Sequence, residues 1–341
     1  MLFLPKTLSL ITTHQCTAAC DHCCFSCTPK VTKRIPYEKL IQLINDAAQI
    51  PSMQVVVFTG GECFLLGEQL NRLIELSTSH QLKTRCITNG YWAVNEGVAQ
   101  KRVQALVDSG LKEINFSTGE HHSKFVPIDR IIHGAVACSE LGITTLINIE
   151  ITQNSTFPTD TILKNDKIVE LMVAGKLRVQ RNVWIENGGT SKICHDKQYS
   201  TFCENKMSGC SNVLNVLTVT PDQNVVVCCG LHLEKIPELS LGSVKENGLL
   251  EVVAGAKDDF LKVWLHVKGP ERILEFVKKK DPDYVLPAHY VHPCETCLHL
   301  YKDKKAQEVV KEHFQEIETE VLSEYMAGVS NNILATLGGR N

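Results

Sequence analysis

Cys16, Cys20 and Cys23 fall in one short stretch, CTAACDHC, spaced by three residues and then by two. Thiolates suit iron–sulfur clusters and zinc. A loop with this spacing can fold three thiolates around a cube, each on a different iron. Three ligands leave one iron of a 4Fe-4S cluster open, and a substrate or cofactor can bind there. The other reading is zinc, which would recruit a fourth ligand, His22 or Cys24, and close.

Further on stands Thr59-Gly60-Gly61-Glu62. Paired glycines let backbone approach a ligand closely, and Glu62 can accept hydrogen bonds from a ligand ammonium. S-adenosylmethionine (SAM) has such an ammonium, and its amino and carboxylate groups could chelate an open iron. The plain alternative is a strand-end turn.

A second group comprises Cys210, Cys228, Cys229, Cys294 and Cys297. Cys294 and Cys297 are a two-residue-spaced pair behind Pro293, which favours a turn. With Cys210 and Cys228 they could complete a four-thiolate site, a closed auxiliary 4Fe-4S cluster suited to passing electrons. Four-cysteine zinc, or a mixed site using His289, His292 or His299, fits the same residues. If Cys228 and Cys229 lie in a strand, their side chains point to opposite faces. One could then bind the cluster while the other faces the barrel mouth as a hydrogen-atom donor. The competing reading makes the second a small buried hydrophobe. Cys24, Cys27, Cys63, Cys86, Cys138, Cys194 and Cys203 receive no chemical role, and Cys86 and Cys138 sit in apolar core patterns. His121 and His122 could face the cavity, although such pairs are more often solvent-facing or hydrogen-bonded.

The elements that must position these residues alternate strand with helix. Strands are expected at Thr7–Thr12, Gln54–Thr59, Lys83–Thr88, Glu113–Ser117, Thr144–Ile151 and Arg178–Ile185. Between them run helical patterns: Tyr37–Ile50, the Leu70/Leu73/Ile74 stripe, the Val103/Leu106/Val107 stripe closed by Gly110, a helix opened by Pro127 and ended at Gly142, and Ile162–Gly175. Six βα units give an α/β fold with a parallel sheet, an open partial (β/α)6 barrel short of eight-unit closure. Its end is placed near Asn187-Gly188-Gly189, so residues 1–190 form a core and 191–341 a smaller second domain. There, Val213–Thr220 and Asn224–Cys229 read as a hairpin around Pro221-Asp222-Gln223. Helices are expected over Lys245–Val267, Pro270–Lys280 and Lys302–Leu337.

Composition narrows the setting. The 341 residues are 43% hydrophobic with formal net charge -3, which supplies no basic footprint for nucleic acid. Neither a signal-peptide apolar region nor an uninterrupted membrane-spanning run is present. Fifteen cysteines without a leader point to the reducing cytoplasm and to metal or catalytic chemistry.

Together the Cys-x3-Cys-x2-Cys loop, the Gly-Gly-Glu turn at the end of the next strand and the third-strand ending Thr88-Asn89-Gly90 resemble the radical SAM superfamily, over about residues 7 to 190. By position, Asn89, Ser117 and Asn148 at later strand ends are candidates for the SAM ribose and carboxylate, and helix capping is their ordinary alternative. The second cysteine group resembles the twitch, or shortened SPASM, extension of peptide-modifying members. No cysteine follows Cys297, so one auxiliary cluster is implied. Gln223 stands where that extension usually carries glycine.

The chain as a whole is similar to radical SAM peptide epimerases. The segments that carry this are Cys20-Asp21-His22-Cys23-Cys24-Phe25-Ser26, Phe58-Thr59-Gly60-Gly61-Glu62, Glu120-His121-His122 with Phe125-Val126, Cys228-Cys229, and Cys294 with Cys297. The resemblance implies an enzyme that converts L- to D-residues in a ribosomally synthesised precursor peptide. A 5′-deoxyadenosyl radical removes the Cα hydrogen, and Cys229 returns one from the other face. It also implies an electron donor such as flavodoxin or ferredoxin. The acidic residue expected after the first auxiliary cysteine is absent from Ser211-Asn212-Val213-Leu214-Asn215. With about fifteen residues before Cys16, no separate leader-binding domain is expected at that end. A thioether or carbon–carbon crosslink is the alternative outcome, and a zinc-binding or electron-carrying protein the non-enzymatic one.

Overall fold

A computed structural model describes residues 4–151, 155–185, 208–287 and 290–338. The Asn187-Gly188-Gly189 boundary, Cys194, Cys203 and His289 lie outside the described residues.

Six strands run parallel: β1 (Thr7–Ile11), β2 (Val55–Thr59), β3 (Lys83–Thr88), β4 (Glu113–Gly119), β5 (Thr144–Ile151) and β6 (Leu177–Val183). Between them lie α1 (Tyr37–Ala48), α2 (Glu68–Ser79), α3 (Glu96–Asp108), α4 (Ile128–Glu140), α5 (Thr159–Leu163) and α6 (Asp166–Val173). Strand registers explain the alternation in the sequence. Leu8, Leu10, Val56, Phe58, Cys86, Ile114, Phe116 and Ile147 are buried in the main core. Their neighbours Arg85, Glu113, Asn115, Ser117 and Asn148 are only half-buried on the other face. Alternate residues therefore stabilise the sheet, and the rest line the concave side.

The sheet is open, and it continues beyond the six units. β7 (Val216–Val219) adds in parallel to the free side of β1. β8 (Asn224–Val226) and β9 (Ser240–Ser243) follow antiparallel, giving the order β6-β5-β4-β3-β2-β1-β7-β8-β9. The strand carrying the first cysteine loop thus sits inside the sheet with both backbone edges paired.

Several expected helices are cut at identifiable signals. Ile162–Gly175 is two helices, because the Asn165 side chain caps α6 by accepting from the Ile168 N–H at 3.2 Å. Lys245–Val267 is interrupted: α7 (Leu249–Ala254) stops at Gly255, and Asp259 caps α8 (Phe260–Lys280) through the Leu261 N–H. α8 itself runs through the expected break at Gly269-Pro270 as a kink. Gly269 has φ 78°, and a Cβ there would lie 2.1 Å from the Ser208 carbonyl oxygen, so only glycine fits. α9 (Pro293–Lys302) is a helix where a turn was expected, with Pro293 in its first turn. Lys302–Leu337 resolves into α10 (Lys304–His313) and α11 (Gln315–Gly338), with Asp303 capping α10. α8 to α11 pack around Trp264, Leu274, Leu300 and Val321 as a second core.

Candidate functional site

The first cysteine loop leaves the carboxyl end of β1 and is zipped to the Gly-Gly-Glu turn. Gly61 N–H donates to the Thr13 carbonyl at 2.6 Å, and Glu62 N–H donates to the Gln15 carbonyl at 3.0 Å. Contact is so close that a Cβ on Gly60 would sit 2.5 Å from the Thr13 oxygen, and one on Gly61 2.2 Å from the Gln15 oxygen. The glycines are therefore needed to let the loop root lie against the turn.

Glu62 is fully buried. One carboxylate oxygen accepts from the Phe64 N–H at 3.0 Å, the other from the Asn89 N–H at 2.8 Å, and the Thr88 hydroxyl donates between them. Burial pushes its pKa up to about 7 against those bonds. In this arrangement the carboxylate braces β2 to β3 from within the fold. Asn89 then reaches the loop: its Nδ2 donates to Thr17 Oγ1 at 3.0 Å and stands 3.6 Å from Cys16 Sγ.

Cys16, Cys20 and Cys23 are free, half-buried thiols. A turn from Cys23 N–H to the Cys20 carbonyl ties those two together; Cys23 opposes ionisation of Cys16, and Cys16 and Cys23 oppose that of Cys20. Burial pushes Cys16 up to about 11 and Cys20 up to about 12. Cys23 is drawn down to about 6, chiefly by a hydrogen bond from the Cys27 thiol. Ala18 N–H donates to Cys16 Sγ at 3.4 Å, and Cys27 N–H donates to Cys23 Sγ at 3.3 Å. Half-buried sulfurs gathered in one loop, two of them already offered N–H donors, fit a positively charged iron centre.

Glu150, at the end of β5, ties this loop to the β4–α4 connection. It accepts from the His121 N–H at 2.9 Å and pairs with His122 Nδ1 at 3.0 Å, while His22 Nε2 lies 3.9 Å away. One ligand atom from each of His22, His122 and Glu150 falls within 4.8 Å of the others. With Glu150 already held by backbone donors, the group works as a hydrogen-bonded knot. Burial, then the neighbouring histidines, lowers His22 to about 3, so its ring is neutral. Trp184 Nε1 donates to the His22 carbonyl at 3.2 Å. Ser117 and Asn148 are register partners on β4 and β5, and Asn148 Oδ1 accepts from Asn182 Nδ2 at 2.7 Å.

The second group also gathers. Cys294 and Cys297 stand one turn apart on α9, where His292 caps the helix by accepting from the Cys294 N–H at 3.1 Å. A Cβ on Gly230 would lie 2.8 Å from Cys294 Sγ and 3.2 Å from Cys228 Sγ, so these sulfurs flank one glycine. Cys210 acts on both, and on Cys297. Burial is the largest cause in each, raising Cys228 and Cys297 and pushing Cys294 up to about 12. His292 is lowered to about 4 by burial, and the His299 ring bonds the Tyr284 hydroxyl at 2.9 Å.

The strand expected to carry Cys228 and Cys229 ends at Val226, so both cysteines follow it. Their exposures differ: Cys228 is buried and Cys229 exposed. Burial around its sulfur pushes Cys229 up to about 11, and Arg85 on β3 pulls the other way. Arg85 is paired with Glu113 across β3 and β4 at 2.8 Å, on the concave face. Sequence reasoning missed Thr88, Glu150, Arg85 and the His14–Glu234 bridge at 3.1 Å, which joins the loop root to the C-terminal part. Each acts through a partner distant in sequence, which no local pattern announces. Cys86 and Cys138 are fully buried, as their apolar patterns predicted, and Cys63 is fully buried as well.

Comparison with known proteins agrees with this geometry. Residues 10–149 match the radical SAM superfamily. YydG of Bacillus subtilis (strain 168), whose name assigns it provisionally to peptide biosynthesis, is 33% identical over 121 residues. That stretch is 36% of this chain, and the chain spans only 38% of the relative's length. Streptococcus suis SuiB bound to S-adenosylmethionine superposes with TM-score 0.57 at 16% identity, over 76% of this chain and 67% of SuiB. The anSMEcpe structure with bound AdoMet and the Cp18Cys peptide gives TM-score 0.53 at 14% identity, over 93% and 99% of the two chains. At these identities the two structures speak for the fold: an α/β partial barrel whose sheet does not close.

Proposed function

We propose, from the premise that residues 10–149 are a radical SAM domain, that this chain epimerises L- to D-residues in a ribosomally synthesised peptide. We take residues 1–190 as the core and 191–341 as a twitch-like extension. Cys16, Cys20 and Cys23 would hold a 4Fe-4S cluster with one iron left for SAM. Cys210, Cys228, Cys294 and Cys297 would hold an auxiliary 4Fe-4S cluster. Cluster and SAM, when bound, supply a strong hydrogen-atom abstractor.

The chain's own residues do the rest. Gly60 and Gly61 let the turn lie against the loop root, and Glu62 fixes that turn from inside. Asn89, Ser117 and Asn148, at or near successive strand ends, would orient the SAM ribose and carboxylate. The open concave face admits an extended peptide. Cys229, protonated at neutral pH because its sulfur is raised, holds the hydrogen that is delivered to the peptide Cα from the face opposite abstraction. An electron donor such as flavodoxin or ferredoxin would serve the clusters.

The contrast between buried Cys228 and exposed Cys229 carries this reading: adjacent thiols in different surroundings suit one as ligand and the other as donor. The test is turnover in deuterated water with a ribosomally synthesised peptide as substrate. Wild type adds one deuterium per D-residue formed. Cys229→Ala still cleaves SAM but forms D-residue more than about a hundredfold more slowly. Loss of two hydrogens from the peptide would indicate a crosslink, and inversion at the wild-type rate would remove Cys229 from the mechanism.

A further inference from the structure

The first cysteine loop contains two more thiols beside the trio, Cys24 and Cys27, and the reading above gives neither a part. Cys27 is 3% exposed. The chain turns back to bring it there: Ser26 N–H donates to the Cys23 carbonyl, and Ser26 adopts a left-handed φ of 50°. Cys27 N–H then meets Cys23 Sγ at 3.3 Å, and the Cys27 thiol lies within hydrogen-bond reach of the same sulfur. Another acceptor, the Phe25 carbonyl oxygen, stands 3.9 Å from Cys27 Sγ. Once Cys23 carries charge as an iron ligand it outcompetes that neutral carbonyl, because charge-assisted hydrogen bonds are about twice as strong. A buried thiol beside a thiolate stays S–H, because burial and the neighbouring negative charge both oppose its ionisation.

We propose that Cys27 is a positioning residue for the first cluster, donating its S–H to the Cys23 thiolate, fixing that ligand and making the cluster easier to reduce. The proposal rests on Cys16, Cys20 and Cys23 being the ligands. Hydrogen bonds to ligand sulfurs stabilise the more negative, reduced cluster and so raise its potential. No covalent bond forms or breaks. The backbone N–H of Cys27 remains in every variant, so the side-chain donor is isolated.

The test uses full-length protein reconstituted without oxygen. Iron content and the midpoint potential of the SAM-sensitive electron paramagnetic resonance signal are measured for wild type, Cys27→Ala, Cys27→Val and Cys27→Ser. All four should keep their iron. Cys27→Ala should be about tenfold harder to reduce, a fall of about 59 mV for one electron. Cys27→Val fills the space without a donor and should match it, which controls for a cavity. Cys27→Ser keeps a hydroxyl donor and should stay within about threefold of wild type. Unchanged potentials in both apolar variants overturn the proposal. So does loss of first-site iron from Cys27→Ala with retention in Cys23→Ala, which would make Cys27 the ligand. If both cysteine variants keep the SAM-sensitive signal, the ligand assignment itself fails.

Discussion

The residue whose environment departs most from its expected role is Glu62. It has no exposed surface, and a water-facing acceptor for a ligand ammonium would have some. Its pKa is raised to about 7 from an ordinary 4.5, so the folded state binds this proton more tightly than the unfolded chain. The stability contributed by the protonated form is full below about 4.5 and is lost as pH rises to about 7. Glu62→Gln removes this pH dependence but leaves one of the Phe64 and Asn89 N–H donors facing an amide N–H. Urea titrations of the cluster-free protein should show the variant less stable by about 1–3 kcal/mol. The wild-type-minus-variant difference should grow as pH falls from 7 to 5. A pH-independent difference would contradict the assigned protonation. The cysteines and the Gly-Gly-Glu turn were legible because their spacing is local. Thr88 and Glu150 were not, since each meets its partners only after strands far apart in sequence have paired.

At the scale of elements, all six expected parallel strands form within a few residues of their expected limits, because β-branched runs between turn signals are strong local patterns. Helix ends were less legible. Asn165, Gly255 and Asp259 cut apparently continuous helical patterns, and an apolar stripe shows burial without showing where a cap interrupts it. α9 escaped notice because its residues, Pro-Cys-Glu-Thr-Cys, read as a turn, yet it is the element that presents Cys294 and Cys297. The turn after β2 gives a direct test. Gly61→Ala would press a Cβ into the Gln15 carbonyl, displacing the root of the first cysteine loop. The variant should lose about 1–3 kcal/mol of stability. It should also lose about half of its iron on reconstitution, read by colorimetric assay. Full iron content would show that the loop tolerates the shift.

For the whole molecule, the sheet decides which parts can stand alone. β1 is paired on one side by β2 and on the other by β7, from the C-terminal part. Truncation after Ile185 would bare the apolar edge of β1 beside the first cysteine loop, and unpaired apolar edges promote aggregation. The fragment should aggregate; a monomeric, folded fragment would contradict the joint role of the two parts. That continuity was hidden in the sequence, where turn clusters suggested a domain boundary. Parallel pairing between β1 and a strand two hundred residues on has no local signature. No helix among the described residues is long and apolar enough to cross a membrane. His14, at the root of the first cysteine loop, pairs with Glu234 from the C-terminal part at 3.1 Å. The most direct test of the account is 5′-deoxyadenosine formation by the full chain, reconstituted with iron and sulfide, reduced and given SAM without oxygen. The account predicts product from wild type and none from the Cys16→Ala, Cys20→Ala, Cys23→Ala triple variant. No product from iron-loaded wild type, or equal product from the variant, would contradict it.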